Sequence, residues 1–386
     1  MDVVHKVQAL GESAQYDLCN ACGAATRQRD DLGRWIYPAA LPDGRRVRVL
    51  KVLLTNVCEK NCYYCAVRAG RDVPRASFQP EELAHAFDQM HRADLVDGLF
   101  LSSAVCAGAD RTMERMIACV ELIRTRYEFP GYVHLKLLPG ASEAHVERAV
   151  QLAHRVSVNL EAPSAGRLAA IAPRKDFARE LVGPMRVAKR LIAESGGRLA
   201  PSGQTTQFVV GAAGESDREI LATTVQLYSE LELRRAYFSA FQPIPGTPLD
   251  GRPAAPAWRE HRLYQADWLL RFYGFTFDDL IFDLDDNLPR QADPKQMYAK
   301  AHPELFPVEV NCAAREELLR VPGLGPKSVA RILRWRRRGT LLEMSELGKA
   351  GAIVSRAAPY VLLGGKRPAY QPPLWEAMPR TTERQN

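Results

Sequence analysis

Long apolar runs are absent from this sequence. No run approaches the roughly 20 residues that a membrane-spanning helix requires, and Met1–Lys6 lack the apolar core of a signal peptide. Cysteine is also scarce, because eight cysteines in 386 residues are too few for a disulfide scaffold. These absences argue against a membrane-spanning protein and a disulfide-stapled secreted domain. We therefore expect a cytoplasmic protein whose thiols are reduced.

The composition is otherwise that of a chain with a substantial core. Hydrophobic residues make up 46% of the sequence, and its length predicts one large domain and a smaller one. Basic residues outnumber acidic ones by 52 to 45, which gives a formal net charge of +7 and a pI of about 9.0. This balance favours a polyanionic partner, and the inference is stronger if the basic residues are concentrated in one region.

Three cysteines form the clearest motif in the chain. Cys58, Cys62 and Cys65 lie within eight residues, directly after the apolar run Val47–Leu54. Thiols at these gaps of three and two can converge on one iron–sulfur cluster and leave one iron without a protein ligand. The alternatives are a structural zinc site and a chance grouping. Structural zinc normally takes four ligands, often from two separated pairs, so it fits three clustered cysteines poorly.

The C-x3-C-x2-C loop after a predicted strand resembles that of the radical S-adenosylmethionine (SAM) superfamily. In that superfamily, three cysteines hold a [4Fe–4S] cluster whose fourth iron chelates SAM. One electron from the cluster then cleaves the sulfonium and yields a 5′-deoxyadenosyl radical. The resemblance implies that Cys58, Cys62 and Cys65 are the metal ligands, that the cofactors are a [4Fe–4S] cluster and SAM, and that an external electron donor is a partner.

Apolar runs alternate with amphipathic segments from residue 47 onward, which predicts six βα units. Near-continuous apolar strands followed by helices indicate a parallel sheet covered by helices. Periodicity does not separate a barrel from a doubly wound sheet, but the resemblance implies an α/β fold with a partial (β/α)6 TIM-like barrel. The predicted strands are Val47–Leu54, Gly98–Val105, Tyr132–Leu138, Arg155–Glu161, Thr205–Gly211 and Arg235–Gln242. The predicted helices are Pro80–Arg92, Thr112–Tyr127, Ala144–Ala153, Asp176–Ala193 and Asp217–Leu231.

Candidate SAM contacts lie where the second, fourth and fifth strands are predicted to end, since barrel active sites form at that edge. Glu161 has two interpretations of equal weight. Its carboxylate could accept hydrogen bonds from the ribose diol, or it could form a salt bridge with Arg174 or Lys175. By position in the superfamily's pattern, the candidates are Ser102, Ser103, Asn159, Glu161, Gly211 and Gly214.

Four other cysteines could form a second metal site. Cys19 and Cys22 make a C-x2-C pair that can supply half of one. Cys106 and Cys119 are predicted at a strand end and in the middle of a helix, where buried, inert thiols are common. We favour the interpretation without a second metal and leave the other open.

The C-terminal part predicts two short helices, Cys312–Arg320 and Ser328–Arg338, around the turn Val321–Lys327. Gly323 and Gly325 permit a tight turn, and amides at such a turn and helix start can face an anion. This segment resembles the helix-hairpin-helix motif, which grips a DNA phosphate backbone without reading bases. The resemblance implies a small all-α DNA-binding domain.

Basic residues are concentrated around this turn. The alternative is a protein-binding helical hairpin, but a phosphate-ready turn beside a basic helix favours nucleic acid. We expect Gly323, Gly325, Lys327, Arg331 and Arg334 to form the nucleic-acid-binding site. From residue 315 to 338 there are two acidic residues, Glu316 and Glu317, against eight basic ones: Arg315, Arg320, Lys327, Arg331, Arg334, Arg336, Arg337 and Arg338.

These features together divide the chain into predicted regions: an N-terminal extension (1–46), the barrel (47–250), a connector (251–310), the helix-hairpin-helix domain (311–366) and a tail (367–386). The combination resembles a prokaryotic family of radical SAM proteins linked to DNA modification or repair and to uracil-DNA-glycosylase-like proteins. The resemblance implies an enzyme that acts on DNA, with such a glycosylase as a further partner. Two alternatives remain: an iron–sulfur DNA-binding accessory that recruits the glycosylase, and an enzyme that modifies transfer RNA.

Overall fold

The computed structural model describes residues 2–14, 35–40 and 46–370. Cys19, Cys22 and the predicted tail beyond residue 370 lie outside the described residues. The chain divides into two compact units. Unit 1 comprises Met1–Tyr264 and Asp285–Asn287, and unit 2 comprises Gln265–Leu284 and Leu288–Asn386.

Unit 1 is an α/β fold built on a curled, seven-stranded half-barrel. The strands follow one another in chain order across the sheet; β1 pairs antiparallel with β2, and all later pairs are parallel. The strands are β1 (Ile36–Ala40), β2 (Arg46–Leu53), β3 (Gly98–Ser102), β4 (Tyr132–Lys136), β5 (Arg155–Ser157), β6 (Gln204–Val210) and β7 (Arg235–Ala240).

Helices alternate with these strands, and the chain reaches α1 before the first of them. A single π-helical turn, Phe177–Val182, leads directly into α6. The helices are α1 (Val3–Ala14), α2 (Pro80–Arg92), α3 (Ala109–Thr125), α4 (Glu143–Leu152), α5 (Ala165–Ile171), α6 (Gly183–Glu194), α7 (Asp217–Leu231) and α8 (Ala257–Phe272), the last of which passes from unit 1 into unit 2 at residue 265.

The strands alternate between an apolar and a polar face. Leu50, Leu99 and Val133 are completely buried, as a face packed under helices requires. The residues next in sequence include Lys51 and His134, which belong to the opposite face because successive side chains alternate. The face that carries Lys51 and His134 is buried but contains polar side chains, so it can line a binding site.

The six predicted strands are all present, and β1 is an additional antiparallel edge strand. Sequence reasoning missed β1, whose Pro38 weakens a strand pattern and is tolerated at an edge. The observed strands stop earlier than predicted at the edge where the loops lie: β3 ends at Ser102 and β5 at Ser157. The residues beyond these ends are loops, which frees their side chains and backbone for other contacts.

Unit 2 is a small helical unit with a core of its own. A pair of two-residue parallel strands, Val308–Glu309 (β8) and Val361–Leu362 (β9), means that the predicted all-α description is not complete. The helices after α8 are α9 (Pro294–Ala301), α10 (Arg315–Arg320), α11 (Pro326–Trp335), α12 (Met344–Lys349) and α13 (Val354–Ala357). The buried core includes Val310, Leu318, Leu319, Val321, Leu324, Val329, Ile332 and Leu347.

The predicted connector, residues 251–310, is shared between the two units. Within residues 2–14, 35–40 and 46–370, no helix combines the length and the apolar character that crossing a membrane requires.

Candidate cluster and nucleic-acid sites

The cysteine loop begins where β2 ends and is held beside the loop that follows β3. The Ala104 amide donates to the Thr55 carbonyl at 2.9 Å, and the Glu59 amide donates to the Val105 carbonyl at 2.8 Å. These two bonds join the cysteine loop to the loop after β3, beyond the point where the β2–β3 pairing ends at Leu53 and Ser102. They place the predicted SAM-contacting segment around Ser102 directly alongside the cysteine loop.

The segment after α5 holds the other side of the cysteine loop. The Tyr63 amide donates to the Ile171 carbonyl at 2.7 Å. Lys60 Nζ donates to Glu180 Oε1 and to the Arg174 carbonyl, both at 3.2 Å. The loop is therefore fixed on both flanks, by the segments that follow β3 and β5.

Arg75 closes the cysteine loop at its base. Asn56 supports the same turn, because its Oδ1 accepts from the Ala76 amide at 2.8 Å. Sequence reasoning missed Arg75, since an arginine ten residues after a motif carries no local signal. Its guanidinium donates to four carbonyls, those of Asn56, Val67, Arg68 and Arg71, at distances of 2.5 to 3.0 Å.

The three predicted ligands lie in this one loop, and none of the three forms a disulfide. Cys62 is buried, while Cys58 and Cys65 are half-buried. Among the described residues, no three His, Cys, Asp or Glu side chains gather closely enough to hold a single metal ion.

A buried ion pair lies next to the cysteine loop. Lys175 Nζ and Glu161 Oε1 are 3.1 Å apart, and both side chains are 8% exposed. Burial alone would lower the pKa of Lys175, but the nearby Cys62 thiolate and Glu161 carboxylate raise it well above its ordinary value. Burial raises the pKa of Cys62, and Lys175 opposes that effect. A lysine that stays charged beside the thiols would stabilise the anionic ligands of a cluster.

Of the two interpretations of Glu161, the structure displays the salt bridge, with Lys175 as the partner. Glu161 has a φ of +65°, which is unusual for a residue other than glycine. Its amide donates to the Gln207 carbonyl at 2.9 Å, and its carbonyl accepts from the Val209 amide at 2.8 Å. The backbone is therefore locked beside β6, and the carboxylate is aimed at Lys175.

The other predicted SAM contacts lie at the same edge of the sheet. Ser102 is the last residue of β3 and is almost completely buried. Ser103 is half-buried, and its hydroxyl donates to the Ala104 carbonyl at 2.8 Å. Asn159 is buried two residues beyond β5. Their roles as SAM contacts remain predictions.

Gly211 and Gly214 have positive φ angles, +88° and +69°. A Cβ on Gly211 would lie 2.9 Å from the Ala255 Cβ, so only glycine fits there. The Glu215 carboxylate accepts from the Gly211 amide and, at 3.0 Å, from the Ala213 amide. Glu215 thus shapes this loop from within, and the loop backbone remains the candidate SAM contact.

The two cysteines of unit 1 outside the loop, Cys106 and Cys119, differ in burial. Cys119 is completely buried in α3, and burial raises its pKa far above the ordinary value of a thiol, as expected for an inert side chain. Cys106 is half-buried in the loop after β3.

In unit 2, the predicted glycine turn separates α10 from α11. Gly323 has a φ of +84°, and a Cβ there would lie 2.6 Å from the Ile353 carbonyl oxygen, so the position requires glycine. The Gly325 amide donates to Ser328 Oγ at 2.8 Å and is therefore engaged inside the turn. The amides of Lys327 and Ser328 lie in the first turn of α11, where no intrahelical acceptor exists for them.

The basic residues around the turn differ in exposure. Arg320 pairs with Asp279 at 3.1 Å, and Arg336 donates to the Ala313 carbonyl at 2.6 Å, so these two support the fold. The remaining six are exposed, and they include the predicted contacts Lys327, Arg331 and Arg334 as well as Arg315, Arg337 and Arg338.

Lys295 is a basic residue that sequence reasoning missed. It is buried in α9, its Nζ donates to the Leu324 carbonyl in the turn, and it lies 4.7 Å from the centre of the Tyr273 ring. Burial lowers its pKa to about 7. Residue type alone does not reveal a buried lysine, because lysine is normally exposed.

Residues 52–225 match the model of a family described as the Radical SAM superfamily. No curated protein matches the chain. The match covers less than half of the chain, lies within unit 1 and agrees with the predicted radical SAM half-barrel. The cofactors of this superfamily are a [4Fe–4S] cluster and SAM, in agreement with the predicted cofactors.

Three solved structures illustrate the similarity. The FeFe-hydrogenase maturase HydG from Carboxydothermus hydrogenoformans is 14% identical, with a TM-score of 0.46 over 57% of this chain and 51% of that one. Methylornithine synthase (PylB) is 13% identical, with a TM-score of 0.47 over 57% and 61%. The radical SAM methyltransferase TsrM from Kitasatospora setae is 14% identical, with a TM-score of 0.40 over 52% and 35%. The chain thus spans about half the length of HydG.

Proposed function

We propose that this chain is a radical SAM enzyme that acts on nucleic acid, most specifically in DNA modification or repair. The observation that carries the proposal is the glycine turn of unit 2, with the first-turn amides of α11 and six exposed basic side chains around it. Phosphate contacts supply most of the sequence-independent affinity for nucleic acid. A turn that needs glycine for its shape and is surrounded by exposed cations is suited to that contact.

In unit 1, the proposal assigns Cys58, Cys62 and Cys65 as the ligands of a [4Fe–4S] cluster. When bound, the cluster supplies the electron that cleaves SAM to a 5′-deoxyadenosyl radical. Lys175 provides a buried positive charge near the thiolates, and Glu161 orients it at 3.1 Å. The proposed SAM contacts are Ser102, Ser103, Asn159, Glu161, Gly211 and Gly214.

Radical chemistry restricts which form of nucleic acid can be the substrate. A reactive radical must be kept from solvent, and a base in a stacked duplex cannot enter a recessed site. The enzyme must therefore receive a single-stranded or flipped nucleotide. An external electron donor supplies the reducing electron, and a uracil-DNA-glycosylase-like protein is a proposed partner.

The Lys327→Glu variant tests the nucleic-acid assignment. We expect weaker binding to every oligonucleotide sequence, because a phosphate contact carries no sequence information. The slope of log Kd against log salt should fall by about 0.9 for each phosphate of duplex DNA that the variant no longer neutralises. Fluorescence anisotropy with labelled duplex DNA at several salt concentrations measures both effects, and Lys300→Glu, an exposed lysine on α9, is the matched control.

Activity is measured separately under anaerobic conditions with SAM and a chemical reductant. We expect the reconstituted enzyme to form 5′-deoxyadenosine and to change the mass of a DNA oligonucleotide, in amounts that Lys327→Glu reduces. DNA binding without any SAM cleavage would instead support the accessory-protein alternative. Tight RNA binding without DNA binding would favour an enzyme that modifies transfer RNA.

A further inference from the structure

An open groove of about 690 Å³ lies in unit 2 beside the glycine turn. One wall is the last part of α8, which contributes Trp268, Phe272 and the adjoining Tyr273. The opposite wall is the turn itself, from Gly323 to Ser328. This volume lies within the range of small-molecule pockets, about 300–1,000 Å³, so the groove can take a ligand of that size.

The α8 wall presents an exposed aromatic surface. Trp268 is 50% exposed and Phe272 is 42% exposed, although large aromatic side chains are usually well buried. Their ring centroids lie 4.6 Å apart. Arg271 packs against both rings, at 4.7 Å from the centre of Phe272 and 5.8 Å from that of Trp268. The pair is thus braced in place while a large part of its surface faces water.

Several exposed apolar side chains meet in this groove. Ten large hydrophobic side chains are exposed among the described residues. Three of them, Trp268, Phe272 and Ile353, line this one groove. Scattered exposed side chains need no explanation, but a group of them in a concave site indicates a binding surface.

The charge of the groove is positive. Four basic residues line it against a single acid, Asp293, which Arg356 pairs with directly. Arg315 and Lys327 are exposed, and Lys295 is buried against the turn. An apolar aromatic wall facing basic side chains complements a ligand that has a flat ring at one end and a phosphate at the other.

We propose that this groove binds an unpaired nucleotide of a DNA strand, with the base stacked on Trp268 and Phe272 and the adjacent phosphate beside Lys327. The inference rests on the proposed function and specifies the form of its substrate. Each base of a duplex exposes only its edges in the grooves, whereas an unpaired base exposes a face that an aromatic ring can cover. The enzyme would therefore bind single-stranded or locally opened DNA more tightly than intact duplex.

Binding of three 5′-labelled oligonucleotides to the full-length protein tests this inference: a single strand, its duplex, and an abasic single strand with the same number of phosphates. Stacking contributes about 1–3 kcal/mol per base, which corresponds to a 5- to 150-fold change in Kd. We expect Trp268→Ala to weaken binding of the base-bearing single strand by at least fivefold and to leave the abasic strand within twofold of wild type. Trp268→Phe should retain most of the affinity, because it keeps an aromatic face.

The controls separate this inference from the proposed function. Leu305→Ala removes an exposed apolar side chain of unit 2 that does not line the groove. It should leave the Kd for the base-bearing strand and the Kd for the abasic strand unchanged. An equal loss for the base-bearing and abasic strands in Trp268→Ala would overturn the stacking inference and leave the proposed function intact. The same holds if the wild type binds duplex as tightly as single strand. If the wild type binds none of the oligonucleotides, both fail. A strand preference for RNA of the same sequence would overturn the assignment to DNA.

Discussion

The cysteine loop of unit 1 and the groove of unit 2 are built in opposite ways. Backbone and side-chain hydrogen bonds hold the loop on both flanks and at its base, and Arg75 alone engages four of the carbonyls there. The groove instead presents half-exposed rings that Arg271 braces and long, exposed basic side chains that can adjust. The difference matches the two tasks: a metal centre needs ligands in one arrangement, whereas a polymer of variable sequence needs a tolerant surface.

Loss of a ligand should have the largest effect on the rigid site. We expect Cys62→Ala to lose most of its bound iron and sulfide after anaerobic reconstitution and to form no 5′-deoxyadenosine, because the cluster has no other thiol in the loop to replace it. Metal analysis and chromatography measure both quantities. Cys312→Ala, which removes an exposed thiol elsewhere, is the matched control and should behave as wild type. Equal iron content in the two variants would contradict the assignment.

The buried ion pair should give the next largest effect. Replacing Glu161 by Gln leaves Lys175 charged, buried and without its carboxylate, and breaking such a pair costs about 3–5 kcal/mol. Urea unfolding of the apoprotein measures this loss. The double variant Glu161→Gln/Lys175→Met should recover most of the stability because it removes both charges.

The same double variant also separates the two interpretations of Glu161. If Glu161 serves only the ion pair, the double variant retains the wild-type affinity for SAM once its cluster is reconstituted. If the carboxylate also binds the ribose, the affinity falls although the stability recovers. Equilibrium dialysis with labelled SAM distinguishes these outcomes.

Arg75→Ala should loosen the rigid site without touching a ligand. Hydrogen bonds to a charged group contribute about 1.5–3 kcal/mol, and four carbonyls would lose their donor. We expect stability to fall by about 3 kcal/mol, the upper end of that range, and cluster occupancy to fall with it. Urea unfolding and iron analysis are the measurements, with Arg111→Ala, an exposed arginine on α3, as the control. Unchanged occupancy would show that the loop does not need this brace.

Gly323→Ala tests the glycine turn beside the groove, where the backbone conformation requires glycine. Its positive φ and the 2.6 Å approach of the Ile353 carbonyl to a built Cβ predict a loss of about 1–3 kcal/mol and weaker binding of DNA. Gly339→Ala, where a Cβ meets nothing within 4 Å, should be close to neutral. If the two variants unfold at the same urea concentration, the turn is more plastic than its geometry indicates.

The barrel half of the fold could be predicted because its signals are local. Six apolar runs gave six strands, and Cys58, Cys62 and Cys65 lie where the pattern put them, at the end of a strand. The ends of β3 and β5 were predicted too far along the chain, because apolar residues continue past the last ladder bonds as loops that stay buried.

The contacts that form only when the chain folds could not be predicted from the sequence. Lys175 and Arg174 were equal candidates to partner Glu161, and only the path after α5 selects Lys175. Arg75 and Lys295 belong to no recognisable sequence motif. Each matters because its side chain donates hydrogen bonds to carbonyls of other segments, and sequence alone does not show which segments these are. The aromatic wall of the groove was hidden for the same reason, since Trp268 and Phe272 lie at ordinary helical spacing.

The backbone hydrogen bonds between the cysteine loop and the segment after β3 also restrict how these two loops can change in length. The Ala104 and Glu59 amides each bond to a fixed carbonyl across the pair, so a residue inserted between Thr55 and Glu59 or between Ala104 and Val105 would have to bulge out or break one of these bonds. Surface loops usually tolerate insertions, and that freedom is missing here. Variation in loop length among related chains should therefore be concentrated elsewhere, for example around Gly339, where the surroundings are open.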